Sequence, residues 1–156
     1  MQNEPNLVRT DENIYLAVDA WYADPVTATP IYGHISNWNT TAVTAMVGLF
    51  EDKMDFNDDI SNWDVSNVTN MECMLRGATS FNQPIGAWDT HNVTNMGSMF
   101  FQATSFNQPI DAWDTHNVTD MEFMFNPPCN FLVNGIFLAI AYICCVPCGA
   151  HLSNWL

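Results

Sequence analysis

Apolar residues return along this chain every 25 positions. Trp38, Trp63, Trp88 and Trp113 are equally spaced, and six further columns keep the same step: Phe56/Phe81/Phe106, Ile35/Ile60/Ile85/Ile110, Val43/Val68/Val93/Val118, Met46/Met71/Met96/Met121, Leu49/Met74/Met99/Met124 and Phe50/Leu75/Phe100/Phe125. A fixed period in the twenties is the signature of a solenoid, a chain wound into stacked coils. One coil cannot bury its own Phe, Ile, Trp and Met, so each must lie against its counterpart in the next. The Trp column therefore reads as core. The competing reading, an aromatic binding platform, does not explain why it keeps phase with six other apolar columns.

Within one copy, Val68, Met71, Met74 and Leu75 follow the spacing i, i+3, i+6, i+7. That spacing predicts a short helix, with Ser66 or Asn67 as N-cap and Gly77 as its stop. The stretch Pro84–Asp89 is too short and aromatic for a helix and reads as a brief strand, although Ile85 and Trp88, three apart, break clean alternation. Parallel strands of neighbouring coils would then lie about 4.8 Å apart. Ahead of the repeats, residues 11–22 place Ile14, Ala17, Val18 and Trp21 on one face, with Thr10 or Asp11 as cap and Pro25 as terminator. This amphipathic helix suits the cap that a solenoid needs over its first core layer. The predicted architecture is α/β: a short right-handed leucine-rich-repeat-like solenoid of about four 25-residue coils with an N-terminal capping helix. It divides into 1–33 as the N-terminal segment, 34–131 as the solenoid and 132–156 as an apolar tail.

The copies HISNWNTTAVTAMVGLF from His34, DISNWDVSNVTNMECML from Asp59, FNQPIGAWDTHNVTNMGSMF from Phe81 and FNQPIDAWDTHNVTDMEFMF from Phe106 carry a specific motif, FNQPI-x-x-WD-T/V-x-NVT-N/D-M-x-x-MF. It closely resembles the BspA-like leucine-rich-repeat surface proteins of mycoplasmas, other bacteria and many unicellular algae. The likeness covers about residues 10–131. It implies a leucine-rich-repeat-like solenoid displayed at a cell surface or secreted, sometimes an adhesin, and it brings no catalytic residues. Residues 1–12 contain no apolar core of signal-peptide type, a departure from what a surface protein needs.

After Phe131, which still falls on the Phe column, NGIFLAIAYICCVPCGA has no counterpart in earlier copies, and His151–Trp155 then returns to the pattern of His34–Trp38. Three readings compete for this segment. It can span a membrane over 131–150, cap the last coil, or mark an insertion in a fragment of a longer solenoid. Asn134, Pro147 and the absence of Lys or Arg after Arg76 weaken the first.

Seventeen acidic residues face three basic ones, a net charge of −14. Binding to nucleic acid by phosphate neutralisation is thereby excluded, as is attraction to anionic lipid. Five cysteines give no even disulfide framework, and Cys144, Cys145 and Cys148 lack the second ligand pair of a zinc site. Asn67, Asn92 and Asn117 begin Asn-Val-Thr and Asn39 begins Asn-Thr-Thr. These are glycosylation sequons in a secretory setting, and helix-capping residues in the plainer reading. The Asn57/Asn82/Asn107 column suits a ladder that satisfies loop backbone.

The remaining chemistry is the acidic column Asp64, Asp89 and Asp114, joined by His91 and His116 in two Asp-Thr-His runs. Stacked carboxylates need compensation, by Asx-turns to nearby N–H groups or by calcium bridging successive coils. Two adjacent imidazoles beside them are zinc or copper ligands in principle. Ser66 and Thr41 occupy the His column in the other copies, which favours a tolerant turn. No nucleophile, phosphate loop or His-Glu-x-x-His motif accompanies them, so the chain reads as a non-enzyme without a resident cofactor. The expected role is a surface or extracellular module binding protein or glycan through exposed columns such as Glu72/Gly97/Glu122 and Arg76/Phe101/Asn126. The alternative is a structural repeat, ion-stabilised, with no specific ligand.

Overall fold

A computed structural model describes residues 7–125; the apolar tail, Cys129 and the tail cysteines lie outside them. Strand β1 (Val8–Thr10) leads into helix α1 (Ile14–Ala23), helix α2 (Pro25–Tyr32), a single 3-10 turn (Ile35–Asn37) and strand β2 (Asn39–Ala42). β1 and β2 pair in parallel, Val8 opposite Asn39 and Thr10 opposite Ala42. The α1 face made of Ile14, Ala17, Val18 and Trp21 is buried, as its spacing dictates. Trp21 meets His34 and Trp38 edge-on, at centroid distances of 4.8 and 6.4 Å. Arg9 lies buried between the rings of Tyr32 and Trp38, 5.4 and 4.9 Å from their centroids. The N-terminal unit thus sits directly on the first repeat.

Two local expectations change. Pro25 does not simply end α1; it begins α2, with Asp24 accepting from the Val26 N–H at 2.9 Å. Proline fits a first helical position because no intrahelical bond needs its missing N–H. Asp11 does not cap α1 either. The residue before that helix is Asn13, and Asp11 reaches instead to the first repeat, 33 residues on.

The larger correction lies inside the repeats, where no helix forms over Val68–Leu75 and no strand over Pro84–Asp89. From Met46 onward the backbone alternates. The N–H groups of Met46, Gly48, Phe50 and Asp52 donate to the carbonyls of Asn70, Glu72, Met74 and Arg76 in the next repeat, at 2.8–2.9 Å, while those of Leu49, Glu51 and Lys53 close tight turns three residues back. The next repeat does the same, Met71, Cys73, Leu75 and Gly77 donating to Asn95, Gly97, Met99 and Phe101. Isolated parallel bridges join Ala45 to Asn70, Asn70 to Asn95 and Asn95 to Asp120. Such a run of turns needs left-handed corners. Gly48, Cys73, Ser98 and Phe123 share one column with φ between 54° and 60°, and Asp52, Gly77 and Gln102 share another with φ of 56°, 70° and 62°. A right-handed helix excludes these angles. Val68 closes one turn back to Val65 and Met74 another back to Met71, and all three of Val68, Met71 and Met74 are buried, which is why the spacing imitates a helix.

The presumed strand is likewise a turn. Trp63, Trp88 and Trp113 each donate their backbone N–H to the Ile three residues earlier, and this brings Ile and Trp inward together. The core is then built of like side chains from successive repeats. The indoles of Trp38 and Trp63 stack at 5.9 Å, those of Trp88 and Trp113 at 6.3 Å. Phe56, Phe81 and Phe106 stack at 5.7 and 5.9 Å, and Phe100 lies on Phe125 at 5.4 Å. Met71 and Met96 are fully buried and Met121 is partly so. Each indole N–H is satisfied inside: Trp63, Trp88 and Trp113 donate to the carbonyls of Ile35, Ile60 and Ile85 in the preceding repeat, and Trp38 uses the Gly33 carbonyl.

Candidate functional site

The residues with chemistry collect on the exposed turn that follows each Trp. Asp64, Asp89 and Asp114 open that turn, Asn39 opens strand β2 at the equivalent place, and each accepts from the backbone N–H two residues on. The side chain two residues on closes the same loop: Thr41 Oγ1 at 2.6 Å, Ser66 Oγ at 2.6 Å, His91 Nδ1 at 2.8 Å and His116 Nδ1 at 2.6 Å. The Asx-turn thus answers the stacked carboxylates. Because an ionised carboxylate only accepts, each imidazole presents an N–H at Nδ1 to its Asp. Their hydrogen bonds, from ring and backbone of His91 and His116, hold the Asp89 and Asp114 carboxyls below the usual carboxylate range.

Each Asp-His pair has the outline of part of a catalytic triad, but both histidines are exposed, 46% and 66%, and no hydroxyl or thiol among the described residues bonds either Nε2. The hydroxyls in the same column, Thr41 and Ser66, are bonded to their own Asn39 and Asp64. For metal binding the outcome is similar. Asp64, Asp89, Asp114, His91 and His116 share one face, yet no group of three or more His, Cys, Asp or Glu close enough to hold an ion occurs among the described residues.

Beside this column run two polar ladders, of residues whose sequence positions suit helix caps. Asn67, Asn92 and Asn117 donate from Nδ2 to the carbonyls of Thr41, Ser66 and His91 in the preceding repeat, at 2.8, 2.7 and 2.7 Å. Thr69, Thr94 and Thr119 send both N–H and hydroxyl to the carbonyl of the previous Thr, or of Thr44 for the first. A third ladder links the Asn57 side chain to the Asn82 N–H, and Asn82 to the Asn107 N–H, each at 2.9 Å. Here the repeating asparagines do satisfy loop backbone.

Thr44 has no earlier repeat to donate to. Asp11 takes that place: Oδ1 accepts from the N–H groups of Thr44 and Ala45 at 2.7 and 3.2 Å, and Oδ2 from the Thr44 hydroxyl at 2.6 Å. Burial raises its pKa, but these three hydrogen bonds outweigh burial and leave the carboxyl below its ordinary value. Asp11→Ala should therefore loosen the N-terminal unit, costing about 1 kcal/mol for this exposed group, read by urea unfolding. The sign of the pH dependence follows from the depressed pKa values of Asp11, Asp89 and Asp114. Their contribution is complete above the unfolded carboxylate pKa near about 4 and is lost as pH falls through the lower folded values. The melting temperature should fall on acidification below about pH 4. It should fall less in an Asp11→Ala, Asp89→Ala, Asp114→Ala variant.

The columns expected to vary are partly paired. Arg76 donates to Glu51 Oε1 at 2.7 Å and lies over the Phe101 ring at 5.9 Å. Glu72 is exposed and accepts from Asn95 Nδ2 at 3.2 Å, whereas Gly97 is buried against Asn95 and Asp120. Phe123, which the sequence did not single out, is half exposed on the same run of turns. No helix among the described residues is long and apolar enough to cross a membrane. No curated protein and no solved structure matches the chain. Residues 24–135, more than two thirds of its length, match one family throughout, and the chain belongs to it: Mycoplasma protein of unknown function, DUF285.

Proposed function

We propose that this member of the family is a non-catalytic interaction module, its repeats wound as a short right-handed solenoid of leucine-rich-repeat-like type, displayed at or outside a cell and binding a protein or glycan partner. The observation that carries the reading is the division of labour between columns. Buried apolar positions hardly change from repeat to repeat, while the column Val47, Glu72, Gly97, Glu122, exposed at every member but the buried Gly97, changes at every step on a backbone held by lateral hydrogen bonds. A rigid frame with varied exposed side chains loses little entropy on binding. The exposed Asp-His pairs, whose Nδ1 atoms are taken by their own carboxylates, are consistent with that reading.

Binding of the full chain should be measured against arrays of extracellular proteins and of glycans. The reading expects a saturable partner whose affinity falls at least tenfold in a Glu72→Lys, Glu122→Lys variant, with circular dichroism unchanged. The exposed aromatic offers a second check, since Phe123→Gly removes the ring while relaxing a left-handed residue. Absence of any partner, together with recovery of the chain from the cell interior alone, would overturn the proposal.

A further inference from the structure

The four Asn-x-Thr sequons are chemically alike in sequence, but the fold makes one of them different. Modification at such a site needs the asparagine Nδ2 as nucleophile and the Thr hydroxyl for recognition. In Asn67-Val-Thr69, Asn92-Val-Thr94 and Asn117-Val-Thr119 both groups are committed to the preceding repeat: Nδ2 to a carbonyl at 2.7–2.8 Å and the hydroxyl to another at 3.0–3.2 Å. Freeing them means opening the contact between repeats.

Asn39 is held otherwise. It is exposed in strand β2, where its backbone N–H donates to the Leu7 carbonyl at 2.8 Å; its Oδ1 accepts from the N–H and hydroxyl of Thr41 two residues on, and its Nδ2 bonds to nothing among the described residues. Thr41 is exposed as well, and releasing its hydroxyl breaks one local bond only. The cause lies in position. In this column of the first repeat stands Asn39 where later repeats have Asp64, Asp89 and Asp114, while the place of the ladder asparagine is taken by Ala42.

From this contrast we propose that Asn39 is the N-glycosylation site of the folded protein, the other three sequons being closed by the stacking of the repeats. The donor is an activated sugar, nucleotide- or lipid-linked. Nδ2 attacks the anomeric carbon, the bond from that carbon to the phosphate oxygen breaks, the leaving phosphate group keeps the electron pair, and one amide proton passes to the transferase. No oxidant or reductant takes part.

The test is in vitro and independent of where the protein resides. A soluble asparagine glycosyltransferase with UDP-glucose, chosen because it modifies synthetic peptides of all four sequons, is incubated with the folded full chain, and hexose is located by peptide mass spectrometry. Asn39 should be modified at least about tenfold faster than Asn67, Asn92 or Asn117, since two neutral hydrogen bonds guard each of those. Unfolding the chain in urea before a brief assay should bring the four rates together, and Thr41→Ala should abolish the reaction at Asn39. Equal rates in the folded chain, or modification of Asn92 ahead of Asn39, would overturn the proposal. So would a folded chain that remains unmodified at Asn39.

Discussion

Replacing Trp88 with alanine should destabilise the protein by about 3–5 kcal/mol, a large part of the roughly 5–15 kcal/mol that holds a typical domain folded. Trp88 is 4% exposed, and its ring lies parallel to that of Trp113 at 6.3 Å with only 4° between planes. Truncation leaves a cavity that the stacked neighbours cannot fill, because they are held in their own repeats by lateral backbone bonds. It also strips the Ile60 carbonyl of its indole donor, at 3.3 Å. In a stacked array each repeat rests on its neighbours, so damage in the middle is felt by both sides. Guanidinium unfolding measures the loss. Leu16→Ala is the control: Leu16 is 64% exposed on α1 and should change stability by less than about 0.5 kcal/mol. A loss below about 1 kcal/mol at Trp88 would mean that the indole is not core.

The second large effect sits at Ser98, where two substitutions should act in opposite directions. Ser98 has φ of 55° and donates its N–H to the Glu122 carbonyl at 2.8 Å. Proline fixes φ near −65° and has no N–H, so Ser98→Pro should cost about 3 kcal/mol or more. Glycine carries no left-handed penalty, which for an L-residue is about 1–2 kcal/mol, but it gives back part of the gain in unfolded-chain entropy. Ser98→Gly should therefore stabilise by a few tenths to about 1 kcal/mol. Glycine already stands at the equivalent Gly48. Were this segment helical, glycine would weaken it instead. The sign of one small change thus distinguishes the turn ladder from the helix that the apolar spacing suggests.

How far the molecule could be read from its sequence depends on which feature is asked for. The columns of Trp, Phe, Ile and Met were legible because burial against a like neighbour forces both identity and period, and no local conformation has to be known. The α1 face was legible for the same reason: four apolar residues at helical spacing had somewhere to go. Inside the repeat the signal misled, since tight turns that close three residues back bury Val68, Met71, Met74 and Leu75 much as one face of a short helix would. Only Gly48 and Gly77 hinted at left-handed corners, and Asp52, Cys73, Ser98, Gln102 and Phe123 hid the rest. Helix α2 is hard to read because Pro25 serves equally as the end of α1 and, after Asp24, as the start of a second helix.

At the candidate site, the Asx-turns of Asp64, Asp89 and Asp114 followed from like-charge repulsion and the short distance to the next N–H groups. The lateral use of Asn67, Asn92 and Asn117 did not, for a capping asparagine and a laddering one are the same residue in sequence. Asp11 left no trace at all. It serves the repeats from outside their period, and nothing in residues 8–14 announces a partner at Thr44.

The central claim is that consecutive repeats lie side by side in parallel register, like side chain on like. Nuclear Overhauser contacts in the folded full chain test it most directly. The account predicts cross-peaks between Trp88 and Trp113, between Phe56 and Phe81 and between Phe81 and Phe106, together with backbone contacts linking Asn70 to Asn95. A spectrum with helical contacts confined to Val68–Leu75 and none between neighbouring repeats would contradict it.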